Sequence, residues 1–171
     1  MNNPFRSPVN AHLRKASVLA GLYAEAVNSS GSRLTQSALM EGCVFHQHLA
    51  FINFLREIGE NYQVANAANL NSLMELKSAL DQINKTPAEL KEVINLTEQG
   101  WLSDLIKTYQ SLIQGDNLQA NKQKLQVQTH SAGLIQTKQL EENDADFSRI
   151  WQWNDYLKEL IDRQREMMVE C

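Results

Sequence analysis

The chain has 171 residues, 43% of them hydrophobic and 21% charged, with seven glycines and three prolines. A chain of this length buries a core without disulfide or metal staples. Its 16 basic and 20 acidic side chains leave a net charge of -4, which argues against a general nucleic-acid binder, because phosphate neutralisation needs a basic face. Cys43 and Cys171 fit neither a disulfide framework nor a zinc ribbon. No stretch approaches the roughly 20 apolar residues of a membrane span. The opening Met1-Asn2-Asn3-Pro4-Phe5-Arg6 lacks the apolar run and small-residue cleavage site of a signal peptide. These features predict a soluble, reduced, cytoplasmic protein.

The first helix is expected over about 8–28. Ser7-Pro8 offers an N-cap with proline at the first helical position, and Leu13, Ala16, Leu19, Ala20, Tyr23 and Val27 recur at helical spacing. Asn28-Ser29-Ser30-Gly31-Ser32 ends it, and Ser32 can cap a second helix over about 33–61. That helix is apolar on most sides, with one polar strip of Gly42, His46, Asn53, Glu57 and Glu60, so it is expected to be central. A third helix is read over about 69–84. Thr86-Pro87-Ala88-Glu89 has the pattern of a capping box. From it a stripe of Leu90, Ile94, Trp101, Leu105 and Leu112 runs down a fourth helix over about 87–114, continuous through Gly100.

Residues 116–143 are rich in Gln, Asn, Lys and Thr and predict a short helix after Asp116, then a mobile stretch around His130–Gly133. The last helix, about 144–168, turns Ile150, Trp153, Leu157, Leu160, Ile161 and Met168 inward. Its far side carries Asp155, Lys158, Glu159, Asp162, Arg163 and Arg165 as a solvated charged face. The fold class is therefore all-α: a single domain over 1–171, folded as an up-and-down antiparallel bundle of four to five helices.

The strong chemical signatures are missing. The sequence has no Walker phosphate loop, Rossmann glycine fingerprint, Gly-x-Ser-x-Gly elbow or His-Glu-x-x-His. No glutamate is followed three residues later by a histidine, as a di-iron bundle requires. One constellation of polar residues faces the wrong way. His48 shares the apolar face of the second helix with Glu41, Val44, Phe45, Ile52 and Leu55. An antiparallel hairpin centred near Ser30-Gly31 brings His12, on the apolar face of the first helix, level with His48 and Leu49. Core histidines usually bond their ring nitrogens to a hydroxyl, carboxylate or carbonyl, so a structural layer with Tyr23, Tyr62 or Glu41 is the default. The alternative is a divalent metal held by His12, His48 and Glu41. Cys43 reads as a buried, inert thiol. Trp101 and Trp153 read as core, whereas Trp151 falls on the opposite side of the last helix, as an anchor for a partner or a surface covered by 116–143.

The run from Glu41 through Cys43-Val-Phe-His-Gln-His48 and Phe51-Ile-Asn-Phe-Leu55 to Tyr62 resembles the second helix of a small uncharacterised family of gammaproteobacteria, a domain of unknown function. Trp151 to Met168, with Leu157-x-x-Leu160-Ile161 and Arg163-Gln164-Arg165, is similar to that family's last helix. The resemblance implies a bacterial, all-helical, cytosolic protein and carries no activity to any residue. A looser similarity, to DinB-like metal-binding bundles, lies in the inward histidines. That family's pattern has three, of which His12 and His48 are placed here. The sequence thus points to a non-enzymatic helical bundle without a resident cofactor, acting as a homo-oligomer or with a protein partner and with neither nucleic acid nor membrane. A metal-binding bundle is the alternative.

Overall fold

The computed structural model describes residues 3–115 and 136–169, and among these it is all-helical, with six α-helices, one 3-10 turn and no strand. The helices are α1 (Arg6–Asn28), α2 (Arg33–Asn61), α3 (Leu73–Gln82), α4 (Ala88–Glu98), α5 (Trp101–Gln114) and α6 (Gln136–Val169). The 3-10 turn is Ala67–Asn69. Among the described residues no helix is long and apolar enough to cross a membrane.

Local chemistry sets most of the helix ends. Ser32 caps α2 by accepting from the Thr35 N–H at 3.1 Å. At α3, Ser72 accepts from the Glu75 N–H while the Glu75 carboxylate accepts from the Asn71 N–H at 2.7 Å, a reciprocal arrangement of capping-box type. α4 starts within the expected Thr86–Glu89, with Pro87 rather than Thr86 as its N-cap. The N-terminus of α1 also differs: the helix begins at Arg6, and Asn3 Oδ1 accepts the N–H of Phe5 ahead of the expected Ser7 cap.

Three helices close with the same turn and none uses glycine in its left-handed position. Ser30, Gln63 and Asn84 have φ of 56°, 58° and 53°. In each case the next residue donates five positions back: Gly31 to Ala26, Val64 to Gly59 and Lys85 to Leu80, at 2.7, 2.8 and 3.0 Å. These are Schellman motifs, which satisfy the last carbonyls of each helix.

The fourth expected helix is two. Gln99, at φ -144° and ψ 74°, leaves the helical region and Gly100 is extended, which separates α4 from α5. The last helix is longer than expected at its start, since 136–143 is already helical. The expectations for 116–135 and for Cys171 lie outside the described residues.

Pairwise contacts give the helix directions. Gly42 faces Leu19, Cys43 donates to the carbonyl of Ala16, and His46 meets His12, so α1 and α2 run antiparallel. Gln47 to Ile150, Glu57 to Arg165 and Asn61 to Met168 make α6 parallel to α2. Asp104 to Arg149 and Trp101 to Tyr156 make α5 antiparallel to α6. Glu92 of α4 accepts from Arg163 and Gln164. Gly59 lets the 3-10 turn approach α2: a Cβ there would stand 2.8 Å from Leu70 and 3.3 Å from Ala67. One cluster of buried side chains joins all six helices, with Phe51, Phe54, Leu55 and Ile58 of α2 at its centre.

Candidate functional site

The polar strip of α2 does not face water along its length. Asn53 and Glu57 are buried, 8% and 2% exposed, and only Glu60 at its end is open to solvent. The strip turns toward α1 and α6, and two polar assemblies are built on it.

The first is an ion pair. Arg165 places Nε and one terminal nitrogen on the two oxygens of Glu57, each at 2.8 Å, and its other terminal nitrogen donates to Asn10 Oδ1 at 2.9 Å. Both side chains are under 10% exposed, at 9% and 3%. Asn3 Nδ2 adds a bond to the Glu57 carbonyl at 2.8 Å. Arg165 is therefore no member of a solvated face, as the charge pattern suggested. It follows Leu157 and Ile161 at four-residue steps, which puts it on the inward side of α6, and that spacing was the available signal.

The second assembly is a pair of histidines, about three turns toward the hairpin loop from Glu57. His12 Nδ1 and His46 Nδ1 stand 3.0 Å apart, and both rings are half-buried. Their ring centres are 5.2 Å apart with planes inclined at 35°. A contact between two Nδ1 atoms requires one Nδ1–H donor and one unprotonated acceptor, so the two rings hold opposite tautomers. Phe45 presents its ring edge-on to His46 at 5.5 Å. Burial holds His12 below the ordinary histidine value, with further lowering from His46 and then Lys15. His46 is lowered by burial and then by Lys15. A first added proton can sit on an outer Nε2 and keep the inner bond; a second would set two Nδ1–H groups against each other.

Of the residues expected to cluster, His12 is at the pair, whereas His48 and Glu41 are elsewhere. The hairpin pairs His12 with His46 instead of His48 because His46, like Gly42 and Cys43, faces α1, whereas His48, about 200° further round α2, faces α5. His48 instead lies flat on Tyr109 of α5, with ring centres 3.6 Å apart and planes 9° from parallel. Among the described residues its Nδ1 is buried without a hydrogen-bond partner, and burial pushes its pKa down to about 4. Glu41 is exposed and accepts from the Ser37 hydroxyl at 2.9 Å. Among the described residues no group of three or more His, Cys, Asp or Glu is placed to hold a metal ion.

A polar layer does exist between α1, α2 and α6, made of other residues. Gln47, fully buried, donates to the Ile150 carbonyl at 2.7 Å, and Asn154 donates to the Ser17 hydroxyl at 2.9 Å. Cys43 is fully buried beside them, its thiol pushed up to about 12 by burial, in agreement with an inert thiol. Trp153 is buried at 6% exposure and lines a charged cleft with Asp104, Lys107, Thr108, Arg149 and Ile150. Trp151 is 40% exposed. Trp101 is half-buried against Tyr156.

A helical protein with buried polar layers is what this geometry defines. Over residues 1–171 the chain belongs to the family described as "Family of unknown function (DUF6586)". No curated protein and no solved structure matches it.

Proposed function

We propose that this protein is a non-enzymatic, single-domain antiparallel bundle over 1–171 that acts in the bacterial cytoplasm through protein contacts, as a homodimer. The observation that carries the reading is the apolar surface shared by α1 and α6. Val18 and Leu22, one turn apart on α1, are 62% and 44% exposed, and Trp151 on α6 is 40% exposed. Trp151 lies three residues before Asn154, which bonds to Ser17, so helical spacing sets the indole on the α1 side of α6. Gly21, one turn beyond Ser17, leaves open space there. Exposed apolar side chains on two neighbouring helices suit a self-complementary, two-fold contact.

Sedimentation of the full chain tests it. A concentration-dependent dimer at micromolar protein, weakened in Trp151→Ala and in Leu22→Ser, is expected; a strict monomer at high micromolar concentration removes the homodimer. The alternative, a metal-binding bundle through His12, His48 and Glu41, is favoured only by His12, since His48 is taken up by Tyr109 and Glu41 by Ser37.

A further inference from the structure

Two imidazoles from different helices already meet at His12 and His46, and the spacing of their nitrogens has a consequence for metal chemistry. A zinc-type ion binds histidine nitrogen at about 2.0–2.1 Å, so two nitrogens on neighbouring positions of one ion stand about 2.9–3.4 Å apart. The observed Nδ1 separation is 3.0 Å. We propose that His12 and His46 form a two-histidine clip for a borderline divalent transition-metal ion, which takes the place of the proton shared between their Nδ1 atoms and fastens α1 to α2. This proposal does not depend on the homodimer.

The geometry requires little movement. With ring centres at 5.2 Å and nitrogens at 3.0 Å, the two nitrogens lie close to the line between the rings and point at each other. Their lone pairs converge on one ion when both rings tilt about χ2, a torsion with a broad, shallow minimum in histidine. The helices themselves stay in place, because Cys43 on Ala16 and Leu19 on Gly42 fix the hairpin on the loop side of the pair. The lowered proton affinity keeps both rings neutral, the form that ligates, and the Nδ1–H ring offers its Nδ1 once that proton has moved to Nε2.

The donor set also selects the ion. Imidazole suits zinc, nickel and copper, whereas magnesium and calcium take oxygen donors. Two protein ligands leave the remaining positions to water, so the ion is exchangeable and its coordination open, unlike a closed structural zinc site. The nearby Lys15 charge, which lowers both histidines, opposes any cation as well and keeps affinity moderate.

The test uses untagged full-length protein stripped with chelator, then titrated with zinc chloride, with magnesium chloride as control. Nitrogen-15 NMR of the imidazoles reads the site directly in the unmutated chain. Before zinc, one of the two rings is the Nδ1–H tautomer and the other the Nε2–H tautomer. With zinc, both become Nε2–H tautomers and both Nδ1 resonances shift. Magnesium leaves the spectrum unchanged. In parallel, zinc raises the melting temperature of the unmutated protein and of His48→Gln, and the rise is lost in His12→Gln and in His46→Gln. Zinc that shifts neither Nδ1 resonance, or a thermal shift retained in both single variants, overturns the proposal. The tautomer change stands as a readout even if a variant fails to fold.

Discussion

Glu57–Arg165 and His12–His46 are both built where the polar strip of α2 meets another helix, yet they behave as opposites. In the first, every charged atom has a partner: Arg165 reaches two carboxylate oxygens and Asn10, and both side chains are almost fully buried. In the second, two half-exposed rings share one hydrogen, and only a second added proton, after a first on an outer Nε2, has nowhere favourable to go. The first assembly is saturated and serves packing. The second is under-coordinated, so it retains capacity for another proton or an ion. Saturation and burial, rather than polarity as such, separate a structural polar group from an available one.

The sharpest way to break the comparison is to remove one half of the ion pair. Glu57→Ala or Arg165→Ala leaves an unpaired charge in the core and is expected to cost about 3–5 kcal/mol, read by urea unfolding. The double variant Glu57→Leu with Arg165→Met is expected to recover most of that loss, because no buried charge is left behind. Single variants costing under about 1 kcal/mol, the range of an exposed pair, would show that the guanidinium is hydrated in solution.

A second effect comes from His48, which belongs to neither assembly and is covered by Tyr109. Its folded pKa is about 4, below the ordinary histidine value of 6.5. Between those values the unfolded chain binds the proton and the folded one does not, so stability is full above pH 6.5 and falls as the pH drops toward 4. The loss amounts to at most about 3 kcal/mol and levels off below the folded pKa. His48→Gln removes that acid limb. A stability curve equally steep in the variant would assign the limb to other groups.

Much of this arrangement was legible in the chain. The bounds of α2 and its Ser32 cap follow from local chemistry, and the inward row Ile150, Trp153, Leu157, Leu160 and Ile161 follows from period alone. Arg165 was legible by position and illegible by type, since arginine on a helix is usually exposed and its buried partner is 108 residues away. The closing turns at Gln63 and Asn84 have no glycine in the left-handed position, so composition gave no sign of their geometry, whereas the run Asn28–Ser32 marked the end of α1. The partner of His12 depended on which face of α2 meets α1 and which meets α5, a property of how helices pack, which single-helix periodicity cannot contain.

The smallest effect is the most diagnostic for the histidine pair. At pH 8, without metal, the contact is one neutral hydrogen bond between half-exposed rings, which contributes about 0.5–1.5 kcal/mol. A double-mutant cycle with His12→Ala, His46→Ala and the combination should return a coupling energy in that range. Repeated at a pH low enough to protonate both rings, the coupling should vanish or change sign, because two Nδ1–H groups then oppose each other. The Glu57–Arg165 cycle should keep its sign over the same interval, since a bidentate bond to a carboxylate needs no shared proton. A histidine coupling that ignores pH would mean that the rings are held together by packing against Phe45 and the helix surfaces, with the nitrogen contact incidental.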